Sequence, residues 1–69
     1  MNFELLTLVI RENYTIKVVD ITNLSVTETL FKGNICDLYE NVDLFEIVKV
    51  KNVVGINPFD DMLKITVKD

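Results

Sequence analysis

The feature that most constrains this chain is a strict alternation of apolar and polar residues near its C-terminal end. Residues 62–68 read Met-Leu-Lys-Ile-Thr-Val-Lys, so the apolar side chains Leu63, Ile65 and Val67 recur at every second position. Successive side chains of a β-strand point to opposite faces of the sheet. The pattern therefore predicts a strand with one buried face and one face that carries lysines.

A second extended segment precedes this strand. Residues 44–56 form the longest run rich in β-branched side chains, which favour the pleated, half-buried surface of a sheet. Val48 and Val50 fit one phase of the alternation and Ile47 fits the other, so we expect a bulge or a strand start near Ile47. Residues 57–60 (Asn-Pro-Phe-Asp) are typical of a type I turn. This part of the chain thus predicts a long hairpin.

The first half of the chain predicts another hairpin and helices. Residues 14–21 and 29–32 indicate two strands joined by the loop 22–27. Asn34 is a suitable cap for a short helix of about two turns. Residues 3–10 fit either a strand or a helix, and we favour a helix, capped by Asn2 and ended by Asn13.

Together the segments predict an α+β fold within a single domain, residues 1–69. The fold is a small four-stranded antiparallel sheet of two hairpins, with an N-terminal helix and a short central helix. The alternative is a five-stranded all-β small barrel. The chain is 49% hydrophobic, and a chain this short buries only ~60% of its unfolded surface. We therefore expect surplus apolar surface that meets a protein partner or a second copy.

Composition and charge disfavour several kinds of partner. A net charge of −4 and a pI of 4.6 disfavour nucleic acid as a partner. The single cysteine, Cys36, excludes an internal disulfide, and no apolar run is long enough to span a bilayer. These features predict a cytoplasmic protein that has no membrane partner.

No residue pattern indicates an enzyme. The chain lacks histidine, which excludes Ser-His and Cys-His nucleophile pairs. Cys36 is interpreted as a small buried apolar residue, and Asp60 with Asp61 matches no calcium loop. We therefore predict no catalytic residue, no metal, no cofactor and no small-molecule substrate.

Charge distribution indicates a binding surface. Acidic residues gather on or just after the short helix, and lysines gather on the outward face of the C-terminal hairpin, where apolar residues separate them. An apolar patch rimmed by charge is typical of a protein-binding surface. The alternative is an ordinary solvated face, on which the lysines prevent the edge strand from pairing with another chain. Phe59 either folds back on the hairpin or serves as an anchor. The candidate partner-binding residues are Val19, Leu30, Ile47, Val53, Lys49, Lys51, Lys64, Phe59, Asp37 and Glu40.

Five segments carry a resemblance to known proteins: residues 12–20, 30–33, 37–38, 46–49 and 63–67. Together they resemble small uncharacterised proteins of phages and mobile elements in Gram-positive bacteria. The resemblance implies a helix before the first strand and one sheet with helices on one side. A longer loop at residues 22–27 and an insert at residues 57–61 depart from that pattern.

These observations predict a small non-catalytic protein-binding module, of the kind by which a phage or mobile element inhibits a host protein in an anti-defence role. Two alternatives stay open. One is a self-assembling structural or accessory protein, and the other is a nucleic-acid accessory protein that uses the lysine face.

Overall fold

The computed structural model describes residues 1–10, 14–23 and 25–69 and has the α+β fold that the sequence predicts. The predicted helix end at Asn13 lies outside these residues. Three helices and four strands follow one another in the order α1 (Phe3–Thr7), β1 (Thr15–Asp20), β2 (Glu28–Asn34), α2 (Ile35–Glu40), α3 (Val42–Val48), β3 (Asn52–Phe59) and β4 (Met62–Lys68).

The strands form one mixed sheet in the order β2-β1-β4-β3. Both predicted hairpins are present, because β1 pairs with β2 and β3 pairs with β4, each in the antiparallel sense. The central pair, β1 and β4, is parallel. The sheet is therefore mostly antiparallel, and its two central strands come from opposite parts of the chain.

The helices cover one face of this sheet. The register places Ile16 and Val18 of β1 beside Leu63 and Ile65 of β4, on the face that packs against the helices. The fully or almost fully buried core consists of Phe3, Leu6, Ile16, Val18, Ile35, Leu38, Val48, Ile65 and Val67. The strand members of this core share one face of the sheet, and the other face lies opposite the helices.

The N-terminal helix, α1, is confirmed and is short. The Asn2 side chain accepts a hydrogen bond from the Leu5 amide at 3.0 Å and caps the helix. The segment just before it adds to the edge of β3. The Phe3 amide donates to the Lys51 carbonyl at 2.9 Å, and the Val53 amide donates to the Met1 carbonyl at 2.8 Å. The start of β3 is thereby protected from pairing with another chain.

The prediction of a strand from residue 44 is wrong for residues 44–48, which belong to α3. The Asn41 side chain caps this helix by accepting a hydrogen bond from the Leu44 amide at 3.3 Å. Leu44, Phe45 and Val48 then contact the core at helical spacing. Strand propensity is a weak preference, and this helix cap together with burial of one helix face outweighs it.

The turn of the C-terminal hairpin also lies later than predicted. Residues 57–59 are part of β3, and the connection to β4 consists of Asp60 and Asp61 alone. Both have positive φ, 46° and 61°, as the central residues of a type I′ turn do. A type I′ turn matches the right-handed twist of the strands, whereas the predicted type I turn would splay them.

Candidate functional site

The sheet face opposite the helices, called the open face below, carries lysines that lie in one row. Lys17 of β1 pairs directly with Lys32 of β2 on one side and with Lys64 of β4 on the other. Paired residues point to the same face, and neighbouring strands are about 4.8 Å apart. Lys32, Lys17 and Lys64, the lysine row, therefore form a continuous band of positive charge across three strands.

The lysine row has no internal compensation in the described part of the chain. Among residues 1–10, 14–23 and 25–69, no carboxylate lies within ion-pair distance of the ammonium groups of Lys17, Lys32, Lys64 or Lys68. Like charges directly opposite one another weaken strand pairing. We therefore expect repulsion between these lysines to oppose the pairing of their strands, and an anionic partner to relieve it.

The open face also presents an aromatic side chain. Phe59 at the end of β3 is 51% exposed, and the Lys17 Nζ atom lies 5.8 Å from its ring centroid. At this distance the ammonium group interacts weakly with the ring. Phe59 was expected either to fold back on the hairpin or to serve as an anchor. The structure is intermediate, since the ring lies against Lys17 and half of its surface is exposed.

Two of the predicted site lysines lie elsewhere. Lys49 follows the end of α3 and forms an ion pair with Glu46, with Nζ and Oε2 2.9 Å apart. Lys51 is buried at the start of β3, where its ammonium group contacts the carboxylates of Asp20 and Asp69. Placing both lysines on the outward sheet face was wrong, because it rested on a strand where α3 forms.

The predicted apolar patch is not one surface. Leu30 is the bulged residue of β2 and packs against the core, as does Val53. Ile47 is 57% exposed but lies on α3, in the helix layer. Val19 does lie on the open face, between Thr29 and Thr66, but it is only 3% exposed. Bulges at Leu30 and near Val54 shift the alternation, so the two-residue period fails there.

Acidic side chains lie on the helices, on the opposite side of the sheet from the lysine row. Asp37 and Glu40 lie on α2, and Asp43 and Glu46 lie on α3. All four are exposed, and we call them the acidic helix surface. An edge-to-face contact between Tyr39 and Phe45, with ring centroids 5.4 Å apart, holds the two helices together. The charges of the protein are thus separated into a basic sheet face and an acidic helix layer.

A buried polar network closes one end of the sheet. The Lys51 Nζ atom lies 3.0 Å from Asp20 Oδ2, and Asp20 Oδ1 accepts hydrogen bonds from the Thr22 hydroxyl at 2.6 Å and the Thr22 amide at 2.8 Å. The Asp69 amide in turn donates to the Thr22 hydroxyl oxygen at 2.9 Å. The network ties the ends of β1 and β4 to the start of β3.

This network predicts a loss of stability in acid. Hydrogen bonds from Thr22, and then the ammonium group of Lys51, hold the pKa of Asp20 at about 2, below its ordinary value of 3.8. Since the folded state binds this proton more weakly than the unfolded state, the contribution is complete above the ordinary value and disappears as the pH falls to about 2. Urea midpoints measured across this interval should fall, and an Asp20→Asn variant should show a smaller fall.

At alkaline pH the network also loses stability, here because Lys51 gives up its proton. Asp69 and Asp20 raise the pKa of Lys51 above 10.5, against the effect of burial. Its contribution is therefore present at neutral pH and is lost as the pH rises through that higher pKa.

The acid prediction decides whether the network is assigned correctly. A urea midpoint that stays unchanged between neutral and strongly acidic pH would contradict it.

One hollow lies on the described part of the surface. A hollow of about 390 Å³ lies beside the tip of the β3–β4 hairpin and is lined by Tyr14, Pro58, Leu63 and the two turn aspartates, among others. No group of three or more His, Cys, Asp or Glu side chains in the described ranges is placed to hold a metal ion. Nor is any helix within those ranges long and apolar enough to cross a membrane.

No protein-family model, curated protein or solved structure matches this chain significantly.

Proposed function

We propose that this protein is a small non-catalytic binding module whose open face receives an acidic surface of a partner protein. The observation that carries the proposal is the lysine row. Three lysines lie side by side on the sheet face opposite the helices, and no described carboxylate forms an ion pair with them. Such an arrangement weakens the free protein and gains energy when a negatively charged surface covers it.

A protein partner fits the open face better than a nucleic acid does. Sheets that bind single strands stack several bases on aromatic side chains, whereas the described part of this face offers the single aromatic ring of Phe59. The net charge of −4 also opposes binding to a polyanion of high charge density. A folded acidic surface places fewer charges against the lysines and matches the extent of the row.

The resemblance to phage and mobile-element proteins extends the proposal. In that setting the partner is a protein of the host cell, and the module inhibits it by occupying an acidic surface that the host protein needs. The small size of the chain suits this role, since blocking a surface requires shape and charge complementarity but no reaction centre.

The test removes the charge of the lysine row while keeping the length of the side chains. A variant with Lys17→Gln, Lys32→Gln and Lys64→Gln should bind a labelled Glu/Asp-rich peptide at least about tenfold more weakly than the natural protein. It should also melt a few degrees higher, because the repulsion between paired lysines is gone. Fluorescence anisotropy and thermal unfolding measure the two effects.

The matched control replaces the same three lysines with arginine, which keeps the charge and should keep peptide binding. An oligothymidylate of equal charge is the second probe. If it binds more tightly than the peptide, the nucleic-acid alternative replaces this proposal. If neither probe binds the natural protein at low salt, the open face is not a site for anions.

A further inference from the structure

The two charged surfaces of this protein carry opposite charges. The open face carries four lysines, Lys17, Lys32, Lys64 and Lys68, and the acidic helix surface carries four carboxylates, of which Glu46 is already paired with Lys49. The surfaces lie on opposite sides of the sheet, so they cannot contact each other within one molecule. A second copy of the chain, however, presents the complement of each.

Both surfaces also expose apolar side chains among their charges. On α3, Val42 is 62% exposed and Ile47 is 57% exposed, next to Asp43 and Glu46. On the open face Phe59 is 51% exposed. Interfaces commonly combine apolar contacts with a charged rim, and complementary charges set the orientation of the two partners.

We propose that the acidic helix surface of one copy docks on the lysine row of the next, so that copies of this protein associate head to tail. Such an interface uses two different patches and extends to chains of molecules unless the rotation between copies closes a ring. The inference does not depend on the proposed function. It adds a competitor for the same face, because a docked copy covers the lysines that a foreign acidic partner needs.

A mixture of two variants, each of which keeps one of the two charged surfaces, tests this arrangement. The first variant is the Lys→Gln variant at positions 17, 32 and 64, which keeps only the acidic helix surface. The second carries Asp37→Asn, Glu40→Gln and Asp43→Asn. It keeps the lysine row, and the one carboxylate left on its acidic helix surface is Glu46, which is paired with Lys49. Each changes three charges in a chain of net charge −4, so both stay net negative and do not attract each other unspecifically.

Sedimentation velocity at several protein concentrations should show the following. The natural protein has a mass above the 8.0 kDa of one chain that rises with concentration. Its apparent dissociation constant rises at least about tenfold between roughly 0.02 and 0.3 M salt, because the interface charges are screened. Each variant alone is a monomer, and an equimolar mixture forms a complex of two chains and no larger species.

Other results would overturn the inference. They are a natural protein that stays monomeric at low salt, variants that still associate alone, or a mixture that stays monomeric. Circular dichroism of both variants shows whether the fold is kept, and the Arg variant at the same three lysines should associate like the natural protein. The second variant keeps the lysine row, so its binding of the acidic peptide reports on the proposed function separately.

Discussion

Replacing Phe3 with alanine is expected to unfold most of the protein at room temperature. Phe3 is fully buried and has the largest volume of the fully buried side chains in the described ranges. Together with Leu6, it joins α1 to the core formed by the sheet and the other helices. Removing a buried aromatic ring costs about 3–5 kcal/mol. A domain of this size rarely has more than about 3–5 kcal/mol of stability in total, so the loss is comparable to the whole.

Far-UV circular dichroism and urea unfolding measure this effect. The matched control is Leu8→Ala in the same N-terminal segment. Leu8 is 77% exposed, so its truncation should change the free energy of unfolding by no more than about 0.5 kcal/mol. A Phe3→Ala variant that unfolds at the same urea concentration as the natural protein would show that α1 is not part of the core.

Replacing Lys51 with methionine is expected to have the next largest effect. The variant keeps most of the side-chain length but leaves the Asp20 carboxylate without its cation, in a site where that side chain is only 10% exposed. Breaking a buried ion pair from one side costs about 3–5 kcal/mol. The lower end, about 3 kcal/mol, applies here, because Thr22 still donates two hydrogen bonds to Asp20.

Two further variants separate the buried charge from the loss of a lysine in general. Adding Asp20→Asn to Lys51→Met should recover much of the stability, since asparagine keeps an acceptor for Thr22 and has no charge to bury. Lys49→Met, at an exposed ion pair with Glu46, should leave the urea midpoint almost unchanged. A Lys49 variant as unstable as the Lys51 variant would contradict the distinct role of the buried network.

Local patterns in the sequence predict those parts of the fold that depend on neighbouring residues. The two-residue period of residues 62–68 and the cap at Asn34 both correspond to observed elements, β4 and α2. The prediction failed at residues 44–48, because a helix cap and the burial of one helix face outweigh the weak strand preference of Ile47 and Val48. The parallel pairing of β1 with β4 was not predicted, since no local signal specifies which distant strands become neighbours.

The same distinction applies to the candidate site. Lys64 was expected on the outward face of the C-terminal hairpin and lies there, because the two-residue period of β4 is a local signal. Phe59 was expected in the turn, whereas it is the last residue of β3. Lys17 and Lys32 were missed, since their proximity to Lys64 arises from pairing across β2, β1 and β4. A signal was available at Lys17, a charged residue between the apolar residues Ile16 and Val18 of a strand.

The strand order has a consequence for synthesis of the chain. The two middle strands of the sheet are β1 and β4. Of the four strands, β1 is synthesised first and β4 is synthesised last. During translation the β1–β2 hairpin leaves the ribosome first and has no central partner until β4 has emerged. We therefore expect the nascent protein to stay incompletely folded, and open to proteases and chaperones, until β4 has left the ribosome.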